Sequence, residues 1–226
     1  MCGRFTINLT NDQLRNYLAG KYQVNKTNNF SIPRYNVAPG TNIIAVIFDG
    51  VNYRVGELKW GFIPSFKTEK PLNLINARAE TLFSKTTFRQ QALNRRCIII
   101  ADSFYEWNKY DKSDYPRRIM KKDESILSLA GIWNATTNGD GQKIYSAAII
   151  TTEANNLLKP VHDRMPVILN EEGEKKWLNL TKKDPKALTD LLVSYPSEGM
   201  KMYKVSKLVN SPKNDNSALL SEINGK

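Results

Sequence analysis

The chain has 226 residues, of which 41% are hydrophobic and 24% are charged, a balance typical of a globular domain with a substantial core. Its 33 lysines and arginines outnumber 22 acidic residues, for a formal net charge of +11, which favours a polyanionic partner, nucleic acid first. No run of 18 apolar residues and no signal peptide is found, so we expect no membrane span and a cytoplasmic location.

Apolar, β-branched runs bounded by turn residues predict most of the strands. They lie at 43–49, 52–60, 97–101, 125–133, 143–151 and 166–169. Amphipathic spacing and capping residues predict helices at 11–20, 86–94, 152–159 and 184–194. Thr152 is the expected cap of the third helix and Asp184 that of the fourth. Because strands dominate without regular β-α alternation, the pattern indicates an α+β fold.

The chain has few residues that could bind a metal. Its only cysteines are Cys2 and Cys97, and its only histidine is His162. A structural zinc site commonly needs four such ligands, so we expect no metal and no cofactor. Cys97 lies in a strand-forming apolar run, which predicts a buried, reduced thiol.

Four polar stretches differ from ordinary scaffold: "MCGRF" at the start, 74–81, 101–107 and 160–169. Each stretch also has a purely structural interpretation. Asn76 can cap a turn, Arg78 can pair with Glu80, Glu106 can pair with a lysine, and His162 can lie on a surface loop. Taken together, a thiol, an amide, a carboxylate, an imidazole and several arginines form an acid–base set suited to an anionic substrate.

Six motifs in chain order resemble the SOS-response-associated peptidase (SRAP) family, the abasic-site processing proteins. They are "MCGRF", "RYNVAPG" (34–40), "KWGFIP" (59–64), "INARAET" (75–81), "FYEW" (104–107) and "VHDRMPVIL" (161–169). The segment 205–216 is also similar to the family's C-terminal part. The resemblance implies one domain over 1–226, with a strand-dominated, curved, barrel-like mixed sheet flanked by several helices. The polar end, about 217–226, is expected to be frayed.

The resemblance also implies a reaction. An abasic site opens part of the time to an aldehyde. Removal of Met1 would give Cys2 a free α-amine beside its thiol, and this pair can close a thiazolidine ring on the aldehyde. The amine has a reference pKa of roughly 8 and the thiol one of about 8.5, so both are suited to act near neutral pH. The product is a DNA–protein crosslink that shields the lesion.

The family's roles carry over to matching positions of this chain. The resemblance makes Cys2 the nucleophile, Asn76 the group that orients its amine, Glu106 the proton-transfer carboxylate, and His162 the residue that handles the sugar hydroxyl and assists an AP-lyase side reaction. The implied DNA-binding residues are Arg4, Arg78 and Arg164 on phosphates, Pro39 and Trp60 as a wedge between bases, and Thr151 and Thr152 on the DNA backbone. Gly3 would allow DNA or the main chain of Cys2 to approach closely. The basic residues of 65–70 match more weakly.

The implied partner is single-stranded DNA with an abasic site, including junctions with duplex, bound by a monomer that is nucleoid-associated when on DNA. Three alternatives remain open at the level of the sequence. Cys2 with its own α-amine as base can cleave the Met1–Cys2 bond or a peptide. Glutamine amidotransferases also begin with Met-Cys-Gly, although no later motif matches them. A non-catalytic single-strand binder would not need the thiol.

Overall fold

The computed structural model describes residues 2–66 and 72–223. The strands in that part are β1 (Phe5–Ile7), β2 (Arg34–Val37), β3 (Asn42–Phe48), β4 (Tyr53–Trp60), β5 (Asn76–Arg78), β6 (Arg96–Ala101), β7 (Ser103–Glu106), β8 (Arg117–Lys121), β9 (Leu127–Thr137), β10 (Lys143–Glu153), β11 (Arg164–Pro166) and β12 (Met200–Lys204). The α-helices are α1 (Asn11–Tyr22), α2 (Thr86–Asn94), α3 (Glu171–Leu178) and α4 (Pro185–Thr189). Short 3-10 turns lie at Ala79–Thr81, Ser197–Gly199, Lys207–Asn210 and Ser217–Leu220.

Five long strands close into a barrel. β10 pairs with β4, β4 with β3, β3 with β6, β6 with β9, and β9 pairs back with β10. The β10–β4 pair is parallel and the others are antiparallel, so the sheet is mixed. The later half of β10 also pairs with the short strands β5 and β11. The predicted α+β fold with a barrel-like mixed sheet is therefore confirmed.

A second, antiparallel sheet packs beside the barrel and carries the start of the chain. Its order is β12-β8-β7-β1-β2. Phe5 on β1 lies opposite Phe104 on β7. Because the two strands run in opposite directions, the residues before β1 lie beside the end of β7. The first residues of the chain thus approach the second half of β7 and the region that follows it.

Every residue of β6 in the barrel wall is buried. Cys97 is a free thiol with 0% exposure, as predicted. It lies opposite Gly131 on β9, where an added Cβ would come within 2.9 Å of its Sγ. Trp177 of α3 donates its indole N–H to the carbonyls of Cys97 and Gly131 at 3.2 and 3.3 Å. Position 131 requires glycine because the Cβ atom of any other residue would lie too close to the thiol of Cys97.

Arg96 joins the barrel to the ends of two helices. Its side chain is buried, and its guanidinium donates to the carbonyls of Ala92 and Leu93 in α2, both at 2.9 Å. It also donates to the carbonyls of Asn179 and Lys182, just beyond α3, at 2.6 and 3.1 Å. Some of these carbonyls lie at helix ends, where they have no hydrogen-bond donor within the helix. Burial lowers the pKa of Arg96 to about 10.

The prediction of a helix at 152–159 is wrong. Thr152 lies inside β10, which continues to Glu153. Asn155 instead closes a single turn, in which its side chain accepts the N–H of Leu158 at 3.1 Å. Local spacing suggested a helix, but the edge of β10 pairs with β11 and keeps Thr152 extended. The predicted fourth helix has the expected Asp184 cap but ends early, at Thr189.

Other boundaries agree to different degrees. The helix predicted at 86–94 matches α2, and the one at 11–20 continues to Tyr22, where Gln23 ends it in the left-handed conformation (φ 57°). The predicted strand 166–169 is displaced, because β11 covers only Arg164–Pro166. Beyond it, Val167 still donates to the carbonyl of Ile150, and the chain crosses towards β9.

The expected fraying of 217–226 is wrong for residues 217–223. Leu219 is 1% exposed and packs with Tyr105 and Val205 in a small second core. The N–H of Ile223 donates to the carbonyl of Lys204 at 3.0 Å. Residues 224–226 lie outside the described part. No helix within the described ranges is long and apolar enough to cross a membrane.

Candidate functional site

Cys2 lies where the second sheet meets the barrel. The N–H of Tyr105 donates to the carbonyl of Arg4 at 2.9 Å, which extends the β1–β7 pairing towards Cys2. On the barrel side, the amide of Asn76 donates to the carbonyl of Cys2 at 2.9 Å. Asn76 is fixed in turn because β5 pairs with β10. Two of the predicted catalytic residues are thus joined by a hydrogen bond.

Glu106 is the last residue of β7 and is 2% exposed. Burial raises the pKa of its carboxyl to about 7, and the charge of Asp163 acts in the same direction. Burial and the charge of Glu106 also raise the pKa of the Cys2 thiol. The two groups are therefore close enough to interact, and near neutral pH Glu106 exists in both protonation states.

His162 lies on a loop held against the segment that follows Glu106. The N–H of Lys109 donates to the carbonyl of Val161 at 2.8 Å, and its ammonium pairs with Asp163 at 2.6 Å. The imidazole Nδ1 accepts the N–H of Arg164 at 2.9 Å. Burial lowers the pKa of His162. A neutral ring whose Nδ1 accepts a hydrogen bond carries its proton on Nε2.

Arg164 forms a forked ion pair with Glu80. Its two terminal nitrogens lie 2.7 and 2.9 Å from the carboxylate oxygens, and one also donates to the carbonyl of Thr151 at 2.7 Å. The carboxylate of Glu80 is thus bound by Arg164 and not by Arg78, whose side chain is exposed. Thr151 and Thr152 are buried on β10 between β5 and β11. Their predicted hydrogen bonds to DNA, and the phosphate contacts of Arg78 and Arg164, stay predictions.

Arg4 links the start of the chain to its C-terminal segment. One terminal nitrogen donates to Asn36 at 2.7 Å and to the carbonyl of Val209 at 2.8 Å. The guanidinium also lies 5.7 Å from the ring centroid of Trp107. Gly3, the preceding residue, is half-buried. The DNA contacts expected of Arg4 and Gly3 stay predictions.

The prediction that Trp60 forms a wedge between bases is wrong. Trp60 is 0% exposed, packs 5.2 Å from the ring of Phe5, and donates its indole N–H to the carbonyl of Ile75 at 2.9 Å. No base can stack on a ring that is enclosed by the core. Pro39 is half-exposed in the adjoining turn, and its role stays a prediction. The exposed aromatic ring of this segment is Phe66, at 49%. The basic Lys67 and Lys70 lie outside the described residues.

Some buried polar atoms near the start of the chain, on β5 and on β11 have no hydrogen-bond partner among the described residues. Within residues 2–66 and 72–223, Arg4 Nε, Asn76 Oδ1 and Arg164 Nε are buried and lack a hydrogen bond. Such atoms are rare in folded proteins because each loses the bonds it would make to water. The Asn76 atom belongs to the side chain that binds the Cys2 carbonyl, so one unsatisfied acceptor lies next to Cys2. No cluster of three His, Cys, Asp or Glu side chains suited to a metal lies in the same ranges.

The site therefore combines a buried cysteine, an amide that holds its carbonyl, a carboxyl with a pKa near neutrality and a neutral imidazole. Fold and site define a protein with a closed five-stranded barrel and a buried cysteine beside ionisable side chains. The chain belongs to the SOS response associated peptidase (SRAP) family, whose profile matches residues 1–212.

Relatives match along almost the whole chain. The abasic site processing protein YoaM of Bacillus subtilis is 43% identical over 234 residues, which cover 99% of both chains. The abasic site processing protein YedK of Escherichia coli is 28% identical over 226 residues, covering 99% of this chain and all of YedK. A crystal structure of a Bacteroides thetaiotaomicron protein superposes with a TM-score of 0.83 at 26% identity, over 98% of this chain and 100% of the other. The fold described above is thus shared with a solved structure.

Proposed function

We propose that this protein processes abasic sites in single-stranded DNA by forming a covalent bond through Cys2. The observation that carries the proposal is the arrangement of Cys2 between the Asn76 amide and the buried Glu106 carboxyl. Two further facts support it: relatives at up to 43% identity are named abasic site processing proteins, and the net charge of +11 suits a DNA partner.

The reaction needs a free α-amine on Cys2, so the proposal includes removal of Met1, which lies outside the described residues. The amine adds to the aldehyde carbon of the opened sugar, and loss of water gives an imine. The thiol then adds across the carbon–nitrogen double bond. A carbon–sulfur bond forms, the thiol proton passes to nitrogen, and a thiazolidine results. Aldehyde and aminothiol thus yield the ring and one water, with no redox change.

Glu106 transfers protons in this sequence. With a pKa of about 7, it can accept a proton from the attacking amine and return it to the departing hydroxyl. The same group can protonate the ring when it reopens, which would make the crosslink reversible. Asn76 orients the cysteine through its carbonyl. His162 acts on the sugar hydroxyl and can assist β-elimination, the proposed lyase activity.

DNA binding would rest on cations and backbone donors around the site. We assign phosphate contacts to Arg4, Arg78 and Arg164, with Gly3, Pro39, Thr151 and Thr152 at the DNA backbone and the flanking bases. The ligand would be a single strand or its junction with duplex, bound by a monomer. A few such contacts on a single strand should give a slope of log affinity against log salt of about −2 to −4. Affinity that does not change with salt would contradict this assignment.

The decisive experiment is intact-mass measurement of the purified protein mixed with a single-stranded oligonucleotide that bears one abasic site. We expect a protein without Met1 and a DNA adduct whose mass equals the sum of both components minus one water. An active protein that retains Met1 would overturn the aminothiol mechanism. A thiol-independent, non-covalent binder would give no adduct at all.

The family description "peptidase" favours one second candidate. Cys2 can take part in hydrolysis of the Met1–Cys2 bond, which would be self-processing and not a general protease activity. A protein expressed with Cys2→Ala or Cys2→Ser tests this, because small residues at the second position also permit removal by the host. Retention of Met1 in both variants, but not in Cys97→Ala, supports self-processing. Its removal in all three contradicts it.

A further inference from the structure

A cavity of about 480 Å³ opens beside the His162 loop. Its size falls within the range of roughly 300–1,000 Å³ for small-ligand sites. Glu153 on β10 and Arg164 on β11 lie opposite each other in register at its floor. The residues that line it are Arg78, Tyr110, Glu153, Lys159, Asp163 and Arg164. Tyr110, Glu153 and Lys159 have no part in the chemistry proposed for Cys2.

Tyr110 is held at this cavity by a fixed loop although its side chain is 65% exposed. The side chain of Asn108 accepts the N–H of Tyr110 at 2.9 Å and that of Asp111 at 3.1 Å, which forms a tight turn. Its amide also donates to Asp114 at 3.0 Å. The preceding residue, Lys109, is bound to the His162 loop through its backbone and its ammonium. An aromatic ring presented in this way is a stacking surface for a nucleobase.

The charges that line the cavity divide into paired and unpaired groups. Asp163 is paired with Lys109 at 2.6 Å, and Arg164 with Glu80 at 2.7 Å. Among the residues that the structure describes, Arg78, Lys159 and Glu153 form no ion pair. The cavity therefore offers one aromatic face, two cations and one carboxylate. A nucleotide has the complementary groups: a base with a π-face, phosphates, and, in three of the four bases, an exocyclic amino group.

We propose that this cavity binds the nucleotide next to the abasic site. Tyr110 stacks on its base, Arg78 and Lys159 contact its phosphates, and Glu153 accepts a hydrogen bond from the amino group on the base edge. The inference depends on the proposed function only in placing the abasic sugar at Cys2. It implies a sequence context: adenine, cytosine and guanine carry an exocyclic amino group and should bind better beside the lesion than thymine, which has none.

The test measures equilibrium binding to oligonucleotides that contain tetrahydrofuran, an abasic analogue with no aldehyde, so that no adduct forms. The neighbour on each side is varied among the four bases, or is replaced by a second tetrahydrofuran. Loss of the stacked base on one side should weaken wild-type binding about tenfold. Tyr110→Ala should lose about tenfold on the complete substrate and nothing further on the substrate that lacks this base. Tyr110→Phe should bind like the wild type.

Tyr145→Ala is the matched control, because Tyr145 is also exposed, at 45%, but lies near the other end of β10. It should bind every substrate like the wild type. If Tyr110→Ala binds all substrates equally well, or is weakened equally with and without the neighbouring base, the cavity does not hold that base. A wild type that binds none of the oligonucleotides would overturn the cavity, whereas the covalent reaction at Cys2 is tested only with true abasic DNA.

Glu153→Gln tests the base edge separately. Glutamine can donate as well as accept, so the several-fold preference of the wild type for amino-bearing neighbours over thymine should disappear while Tyr110 stacking remains. An unchanged preference would overturn the role of Glu153. Intact-mass measurement with true abasic DNA separates the two proposals. Adducts without any dependence on the neighbouring base reject the cavity alone, whereas context-dependent binding without adducts rejects the chemistry alone.

Discussion

Arg96 in the barrel wall and Arg164 on β11 are two largely enclosed arginines with different surroundings. Arg96 is 1% exposed and donates to backbone carbonyls from all three guanidinium nitrogens, which fixes two helix ends to the barrel. Arg164 uses its terminal nitrogens on Glu80 and Thr151, but its buried Nε has no hydrogen bond in the part of the chain that the structure describes. One arginine is fully bonded, whereas the other keeps a donor available.

The two cysteines differ in the same way. Burial raises the pKa of both thiols, but the charge of Glu106 acts only on that of Cys2. Cys97 is enclosed by Gly131 and Trp177 in the wall. Cys2 lies among polar groups, two of which, Arg4 Nε and Asn76 Oδ1, are buried without partners in residues 2–66 and 72–223. Within the described residues, the surroundings of Cys97 leave no such atom without a partner, whereas those of Cys2 do.

The largest expected difference between these regions is chemical. Cys2→Ala should abolish the heat-stable DNA adduct on a denaturing gel, because it removes the only thiol placed beside Glu106. Non-covalent binding should remain largely intact, since the proposed phosphate contacts lie elsewhere. Cys97→Ala should crosslink normally. A heat-stable adduct with Cys2→Ala would assign the reaction to another nucleophile, and loss of the adduct with Cys97→Ala alone would remove the distinction between the two cysteines.

The next effect separates the two proton-transfer residues. Glu106→Gln keeps the shape of the side chain but cannot exchange a proton, so it should slow both formation and release of the adduct, by about 10²-fold or more. His162→Ala should slow mainly formation, because the role proposed for His162 is in the opening of the sugar. Two time courses for each variant measure this: formation, and transfer of the adduct to excess fresh abasic DNA. Undiminished rates in both variants would remove these residues from the mechanism.

The long strands of the barrel could be predicted from sequence because each carries its own apolar run. The short strands β1, β5 and β7 could not, since each is defined by its partners and not by an internal pattern. The desolvation of Glu106 depends on the tertiary fold, because its neighbours Tyr105 and Trp107 pack in the small second core, on the other face of β7. The burial of Trp60 did not follow from its motif, because it depends on packing against Phe5, more than 50 residues away in the chain. Likewise, Tyr110 belongs to no quoted motif, and only its exposure and fixed loop single it out.

The bonding of Arg96 predicts a large effect on stability. Arg96→Met keeps most of the aliphatic volume but leaves the carbonyls at the ends of α2 and α3 without donors, which should cost about 3–5 kcal/mol in the free energy of unfolding. Urea denaturation measures this directly. Arg89→Met is the control, because Arg89 lies exposed on α2 and should change stability by no more than about 0.5 kcal/mol. Equal effects of the two substitutions would contradict the structural role given to Arg96.

The smallest of these effects tests whether the site is held at the expense of stability. The pKa of Glu106 is raised by burial from the reference value of 4.5 to about 7 in the folded protein, so the folded state prefers the protonated carboxyl. Its contribution to stability is therefore complete below pH 4.5 and is lost as the pH rises through about 7. At about 1.4 kcal/mol for each pH unit between these values, the loss is at most about 3 to 4 kcal/mol. Glu106→Gln stays neutral throughout, so its stability relative to the wild type should increase between pH 4.5 and 8 by up to that amount.

Urea denaturation of both proteins across this range measures the difference, and Glu57→Gln, an exposed position on β4, is the control that should show no such trend. A stability difference that does not change with pH would mean that Glu106 is not desolvated. The contrast between the barrel wall and the surroundings of Cys2 would then no longer include this carboxyl group.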